Sequence, residues 1–93
     1  MAVVHTNTQI FTTPTVLVQM PSTTQYTAVS IQNNHSASIF VGDKTTATSG
    51  ATQGHTVAAG TTYQIWLAAG DILYAISAAN TAAGAVSVLY SGL

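Results

Sequence analysis

The chain has 93 residues, no cysteine and only three charged side chains, Asp43, Lys44 and Asp71, where an ordinary soluble domain carries roughly 25% charged residues. That composition excludes a disulfide framework and a thiolate zinc site. A formal net charge of −1 supplies neither the basic footprint that phosphate backbones require nor a field that steers charged substrates, so no nucleic-acid partner is expected. One domain of this length buries only about 60–65% of the surface its unfolded chain exposes, and Thr, Ser, Asn and Gln must keep the rest wet. A chain so short and so weakly charged suits a subunit that spends its life docked.

The N-terminus "MAVVHTNTQI" lacks the basic and apolar regions of a signal peptide, and no apolar run approaches the ~20 residues of a membrane span. Synthesis in the cytoplasm and no membrane span are the expectation. Val4, Thr6, Thr8 and Ile10 share one parity within Val3–Ile10, a loose alternation that reads as a strand or arm. Residues 1–25 are therefore set apart as an N-terminal segment, with Val3 and Val4 as contact candidates, and 26–93 as the β-sandwich core. After Pro14, "TVLVQM" predicts a strand with Val16, Val18 and Met20 on one face and Leu17 on the other, closed by Pro21.

"YTAVSIQ" alternates more cleanly, with Val29 and Ile31 inward and Ser30 and Gln32 outward. Asn33-Asn34-His35-Ser36 then reads as a hairpin turn before "ASIFVGD" resumes with Ile39 and Val41. Residues Asp43 to Gly54 hold no large apolar side chain and predict a long flexible loop or a loosely held edge. Three strands follow. "TTYQIWL" sets Tyr63, Ile65 and Leu67 against Trp66; "DILYAIS" sets Ile72, Tyr74 and Ile76 against Leu73 and Ala75; "AVSVLYS" aligns Val86, Val88 and Tyr90. The fold class that emerges is all-β, a single small antiparallel β-sandwich or jelly roll of about seven strands.

Ala-Ala-Gly recurs at Ala58-Ala59-Gly60, Ala68-Ala69-Gly70 and Ala82-Ala83-Gly84. The flanking strands are unrelated and neither phosphate-loop spacing is present, so the triplets mark strand ends where glycine supplies positive φ.

Little here points to chemistry. His5, His35 and His55 stand in three separate places without metal-ligand spacing. The two carboxylates have no neighbouring acid, and Asp71 after Gly70 reads as a turn residue bonding backbone N–H groups. No GxSxG elbow accompanies the many hydroxyls. No catalytic, cofactor-binding or metal residue is therefore assigned, and the chain reads as non-enzymatic. The aromatics divide: Tyr63 and Tyr74 alternate with isoleucine and read as core, whereas Trp66, of opposite parity, heads the interface candidates with Tyr26 and Tyr90. An aromatic face with amide neighbours also suits a sugar.

The segments "VSIQNNHSASIFVGD", "HTVAAGTTYQIWLAAGDILYAISA" and "GAVSVLY", spanning about residues 29 to 90, resemble small β-sandwich structural proteins of tailed bacteriophages. Asn33, Gly42, Gly60, Gly70, Asp71, Leu73 and Tyr74 carry the pattern, and with Gly84 the turn positions are structural ones. The resemblance implies a capsid decoration, or cement, protein: a homotrimer on the virion's capsid exterior that binds the major capsid protein, its N-terminal segment contacting the shell or a neighbour. The alternative it implies is a tail-fibre, tail-tip or head-fibre module binding host glycan.

Overall fold

The computed structural model describes residues 2–22, 26–81 and 84–92, with side chains from 3 to 90 within those ranges; Met1, 23–25, the Ala82-Ala83 pair and Leu93 lie outside the described residues. Eight strands form two antiparallel sheets: β1 (Ala2–Thr8), β2 (Thr15–Gln19), β3 (Thr27–Asn33), β4 (Ile39–Gly42), β5 (His55–Val57), β6 (Thr62–Leu67), β7 (Ile72–Ile76) and β8 (Val86–Gly92). Sheet I has the order β1-β8-β3-β6 and sheet II the order β2-β7-β4-β5.

The pairings β1 with β8, β2 with β7, β3 with β6 and β4 with β5 describe one long antiparallel ribbon whose tip is the 43–54 loop. Rolling that ribbon adds the pairs β3 with β8 and β4 with β7 and gives the jelly-roll arrangement. At each place where the ribbon passes from one sheet to the other, its two connections are bonded together. Ser77 and Thr81 donate their N–H groups to the carbonyls of Phe11 and Ile10, Met20 N–H to Asp71, and Asn33 N–H to Thr61. The corners thereby satisfy backbone groups that the sheets leave unpaired.

Between the sheets lies one core. Val29, Ile31, Val86, Val88 and Leu67 come from sheet I, and Leu17, Val18, Ile39, Val41, Val57, Leu73 and Ala75 from sheet II; Ile10 and Met20 complete it. Tyr63, Ile65 and Tyr90 pack against it, half-buried. The 1–25 segment thus contributes two paired strands and four core side chains, Ile10, Leu17, Val18 and Met20.

Four local expectations change. The eighth strand, β5, is only three residues long and sits between a polar loop and an Ala-Gly turn. The Asn33–Ser36 turn carries the chain from sheet I to sheet II, not around a hairpin. In β2 the register shifts between Val16 and Val18, a bulge that buries both Leu17 and Val18 and leaves Val16 outside. In β7 the parity is reversed: Leu73 and Ala75 face the core, while Tyr74, opposite Val16 and Gly42, points to the outer surface.

The 43–54 loop is also tied to itself. Ala47 N–H donates to Thr52, Gly54 N–H to Ala47 and Gln53 N–H to Gly50, and Thr46 is buried within it. Gly50, Gly60, Gly70 and Gly84 have φ of 86°, 73°, 78° and 73°, the left-handed region that an L side chain avoids.

Candidate functional site

Strand pleating gives each sheet a second face, away from the core, and those two faces carry Val3, Trp66, Leu89, Val16 and Ile72 among the exposed large apolar side chains. On sheet I the outward positions form a grid. His5, Leu89, Ser30 and Gln64 lie across the four strands in one row, and Asn7, Ser87, Gln32 and Thr62 in the next. Val3 on β1 and Ala28 opposite Trp66 share that face. No Asp, Glu, Lys or Arg occupies any of these positions. Val3 is 74% exposed, Tyr26 68%, Trp66 53% and Leu89 48%.

Tyr26 precedes β3 and stacks on Trp66, with ring centroids 5.2 Å apart and planes 26° from parallel. Beside Leu89 a shallow depression of about 290 Å³ is lined by His5, Ser30, Gln32, Thr62 and Ser87. Its polar end is pre-ordered: Ser87 Oγ donates to Asn7 Oδ1 at 2.8 Å and accepts from Asn34 Nδ2 at 3.2 Å. The face offers aromatic surface at one end and neutral donors and acceptors at the other.

The outward face of sheet II is apolar. Val16, Tyr74 and Gly42 lie in one row, Ile76, Phe40 and Thr56 in the next, and Gln19 pairs with Ile72. Val16 is 44% and Ile72 39% exposed, Phe40 and Tyr74 are half-buried, and Ile76 is buried.

Of the contact candidates read from the sequence, Trp66 and Tyr26 come together on sheet I's outer face, and Val3, on the opposite edge strand, shares that face with them and with Leu89. Tyr90 and its β1 partner Val4 take the inward parity instead, both half-buried. Leu89 had the same signal as Trp66, an apolar residue on the polar parity of its strand. Phe40, Val16 and Ile72 had a different one, the unbroken apolar runs "IFV", "VLV" and "ILYAI".

The turn residues act locally. Asn33 is fully buried; its Nδ2 donates to the carbonyls of Val57 at 2.9 Å and Ala37 at 3.0 Å, and its Oδ1 accepts from His35 N–H at 2.9 Å. One side chain thereby fastens β3, the crossing turn and β5. Asp71 Oδ2 accepts the Ala68 N–H at 2.7 Å, closing the β6–β7 turn around Gly70. A Cβ on Gly42 would lie 3.1 Å from Thr46 Oγ1.

The remaining titratable groups are dispersed. His55 stacks on Tyr63, centroids 4.4 Å apart, joining β5 of one sheet to β6 of the other. Asp43 lines an open, polar depression of about 390 Å³ at the ribbon's tip. There the Thr45 hydroxyl and N–H donate to its Oδ1 at 2.6 and 2.9 Å, bonds that hold the carboxyl below its ordinary range. Among the described residues no three His, Cys, Asp or Glu side chains gather as metal ligands, and no helix is long and apolar enough to cross a membrane. Comparison with protein-family models, with curated proteins and with solved structures found no match.

Proposed function

We propose that the chain is a non-enzymatic structural protein of a phage virion. In this reading it is a decoration protein, made in the host cytoplasm, that binds the outside of the head as a homotrimer and stabilises contacts between capsomers of the major capsid protein. The observation that carries the reading is the outer face of sheet I, a broad uncharged surface from which Trp66, Tyr26, Leu89 and Val3 project. Exposed aromatic side chains backed by a rigid sheet are the usual anchors of protein interfaces. The sandwich extends 35 × 25 × 17 Å, so each broad face is of the order of the ~800 Å² that one partner gives to a standard interface.

The mechanism follows from buried area. A subunit that spans neighbouring capsomers adds contacts that the shell must break before it can expand under the pressure of packaged DNA. With no charge on the docking face, little of the binding energy is exposed to screening, and attachment should change little with salt. Jelly rolls occur among viral capsid and lectin domains; that likeness of fold is an analogy and does not by itself give function.

Sedimentation of the purified chain with full and emptied heads, at low and high salt, tests the reading. Binding at both, weakened by Trp66→Ala or Leu89→Lys in variants that keep the wild-type circular dichroism spectrum, is the expected result. A chain that stays free under every condition contradicts it.

The Tyr26–Trp66 stack at one end of the face and the amide- and hydroxyl-lined depression at the other favour a second reading, a fibre or tip module that binds a neutral host saccharide. Saturable binding on a glycan array, lost in a folded Trp66→Ala variant, would decide for that reading over the first.

A further inference from the structure

A sheet edge offers a row of unpaired N–H and C=O groups to any extended chain, and proteins blunt such edges with proline, charge, bulges or very short strands. Both edges of sheet II are blunted: β2 is bulged and lies between Pro14 and Pro21, and β5 has three residues. The edges of sheet I are not. β1 (AVVHTNT) and β6 (TYQIWL) run for seven and six residues without proline, glycine or charge, and their ladders to β8 and β3 keep one register throughout.

Two backbone bonds fix which groups lie open. Asn33 N–H donates to Thr61 O between β3 and β6, and Asn34 N–H to Ala85 O between β3 and β8. Successive residues of an antiparallel strand turn their backbone groups to alternate sides. Counted along the registers, Thr62, Gln64 and Trp66 of β6 and Val3, His5 and Asn7 of β1 therefore direct theirs away from the sheet. The core is also incomplete along both strands. The inward residues of the central strands, Val29, Ile31, Val86 and Val88, are 0% exposed, whereas Val4, Tyr63 and Ile65 are half-buried and Thr6 is exposed.

We infer that these two edges pair with each other between copies, β6 of one copy lying antiparallel to β1 of a second. One register seats all three open positions of one strand against all three of the other: Trp66 opposite Val3, Gln64 opposite His5 and Thr62 opposite Asn7. It is also the register that carries each row of the outer grid from one copy into the next. On the core side it sets Ile65 beside Val4 and Tyr63 beside Thr6, covering side chains that each edge leaves bare. An extended segment of an unrelated chain would cover one edge and leave the other open; a second copy supplies both complements. The contact is heterologous, the kind from which three-fold rings are built, whereas β1–β1 or β6–β6 pairing gives a two-fold dimer. The inference rests on the trimeric part of the proposed function and gives it an interface.

The chain has no cysteine, so introduced thiols report the register directly. His5→Cys, Gln64→Cys and the variant carrying both are oxidised as full-length chains and resolved on a non-reducing gel. Within one copy the two positions stand three strand spacings apart, about 14 Å, beyond the ~7 Å between Cα atoms that a disulfide spans, so every cross-link joins two copies. The double variant should give covalent species up to the trimer, and each single variant should run as a monomer. In sedimentation velocity the wild type should be a discrete trimer. Gln64→Pro, whose missing N–H belongs to no bond within the subunit, should keep the wild-type circular dichroism spectrum and weaken the assembly at least about tenfold.

Dimers from His5→Cys alone or Gln64→Cys alone would mean β1–β1 or β6–β6 pairing, and a double variant without cross-links or a wild type monomeric throughout would mean no edge pairing; each overturns the inference. A monomer that still saturates heads does so while leaving the decoration role standing. A covalent trimer of the double variant, formed by a chain that ignores heads, does the reverse.

Discussion

Replacing Asn33 by alanine removes three hydrogen bonds at once, two donated to the Val57 and Ala37 carbonyls and one accepted from His35 N–H. Each is worth about 1 kcal/mol net, and a buried carbonyl left without its donor adds a desolvation cost, so a loss of about 3–4 kcal/mol is expected. Against the 5–15 kcal/mol of a typical domain, that is a large share. For a chain of this size it lowers Tm by about 15–25 °C, read by far-UV circular dichroism during thermal and urea unfolding.

Asn33→Asp sharpens the test. Ionised aspartate turns acceptor oxygens toward two carbonyls, so its folded-state pKa rises above the ~3.9 of an unfolded Asp. Between those two values the folded variant binds more protons than the unfolded one. Its stability is therefore greatest below about pH 4 and falls as pH climbs through the folded-state pKa. An Asn33→Ala variant that loses less than about 1 kcal/mol, or an Asn33→Asp variant whose stability relative to wild type does not fall with pH, would refute the role given to this side chain.

Gly54→Ala should cost about 2–3 kcal/mol, because the added methyl meets Val41 O at 2.7 Å, Val41 N at 3.0 Å and the Thr46 hydroxyl; an unchanged urea midpoint would contradict that. Thr46 Oγ1 is buried without a hydrogen-bond partner among the described residues, so Thr46→Val should raise stability by about 0.5–1 kcal/mol, and a clear loss in urea unfolding would count against it. Asp43 should titrate by NMR below the ordinary carboxylate range, and Thr45→Val, which removes the hydroxyl and keeps the N–H, should move its midpoint upward. Because that folded pKa is depressed, the stability it confers is present above the ordinary Asp value and is lost as pH falls through the folded one. A midpoint unmoved by Thr45→Val would leave the shift without its assigned cause.

The alternating strands were legible because each has one parity that can be buried. In β3, β6 and β8 the choice between Val29 and Ser30, Ile65 and Trp66, or Val88 and Leu89 follows from polarity or from the strand's other inward residues. "ILYAI" offers two apolar parities, and periodicity alone prefers the bulkier one; the core takes Leu73 and Ala75, which lie opposite the core residues Val18 and Val41 on the two neighbouring strands. Turn chemistry at Asn33 announced a change of direction, but nothing in four polar residues says which sheet receives the next strand. β5 escaped because three residues in a polar run carry too little pattern.

The candidate site divides in the same way. Trp66 was visible as an apolar residue on a polar parity, and its stack with Tyr26 needed the end of β3 to be placed beside β6. The apolar face of sheet II was written in the unbroken runs of β4 and β7, a signal that also describes a strand buried on both sides by its own fold. Only the topology separates the two cases.

Quantitative mass spectrometry of purified virions, giving copies of this chain per copy of the major capsid protein, tests the central claim most directly. A decoration protein is expected in a fixed ratio near that of the capsomers, in full and emptied particles alike. A few copies per particle, or none, would contradict it.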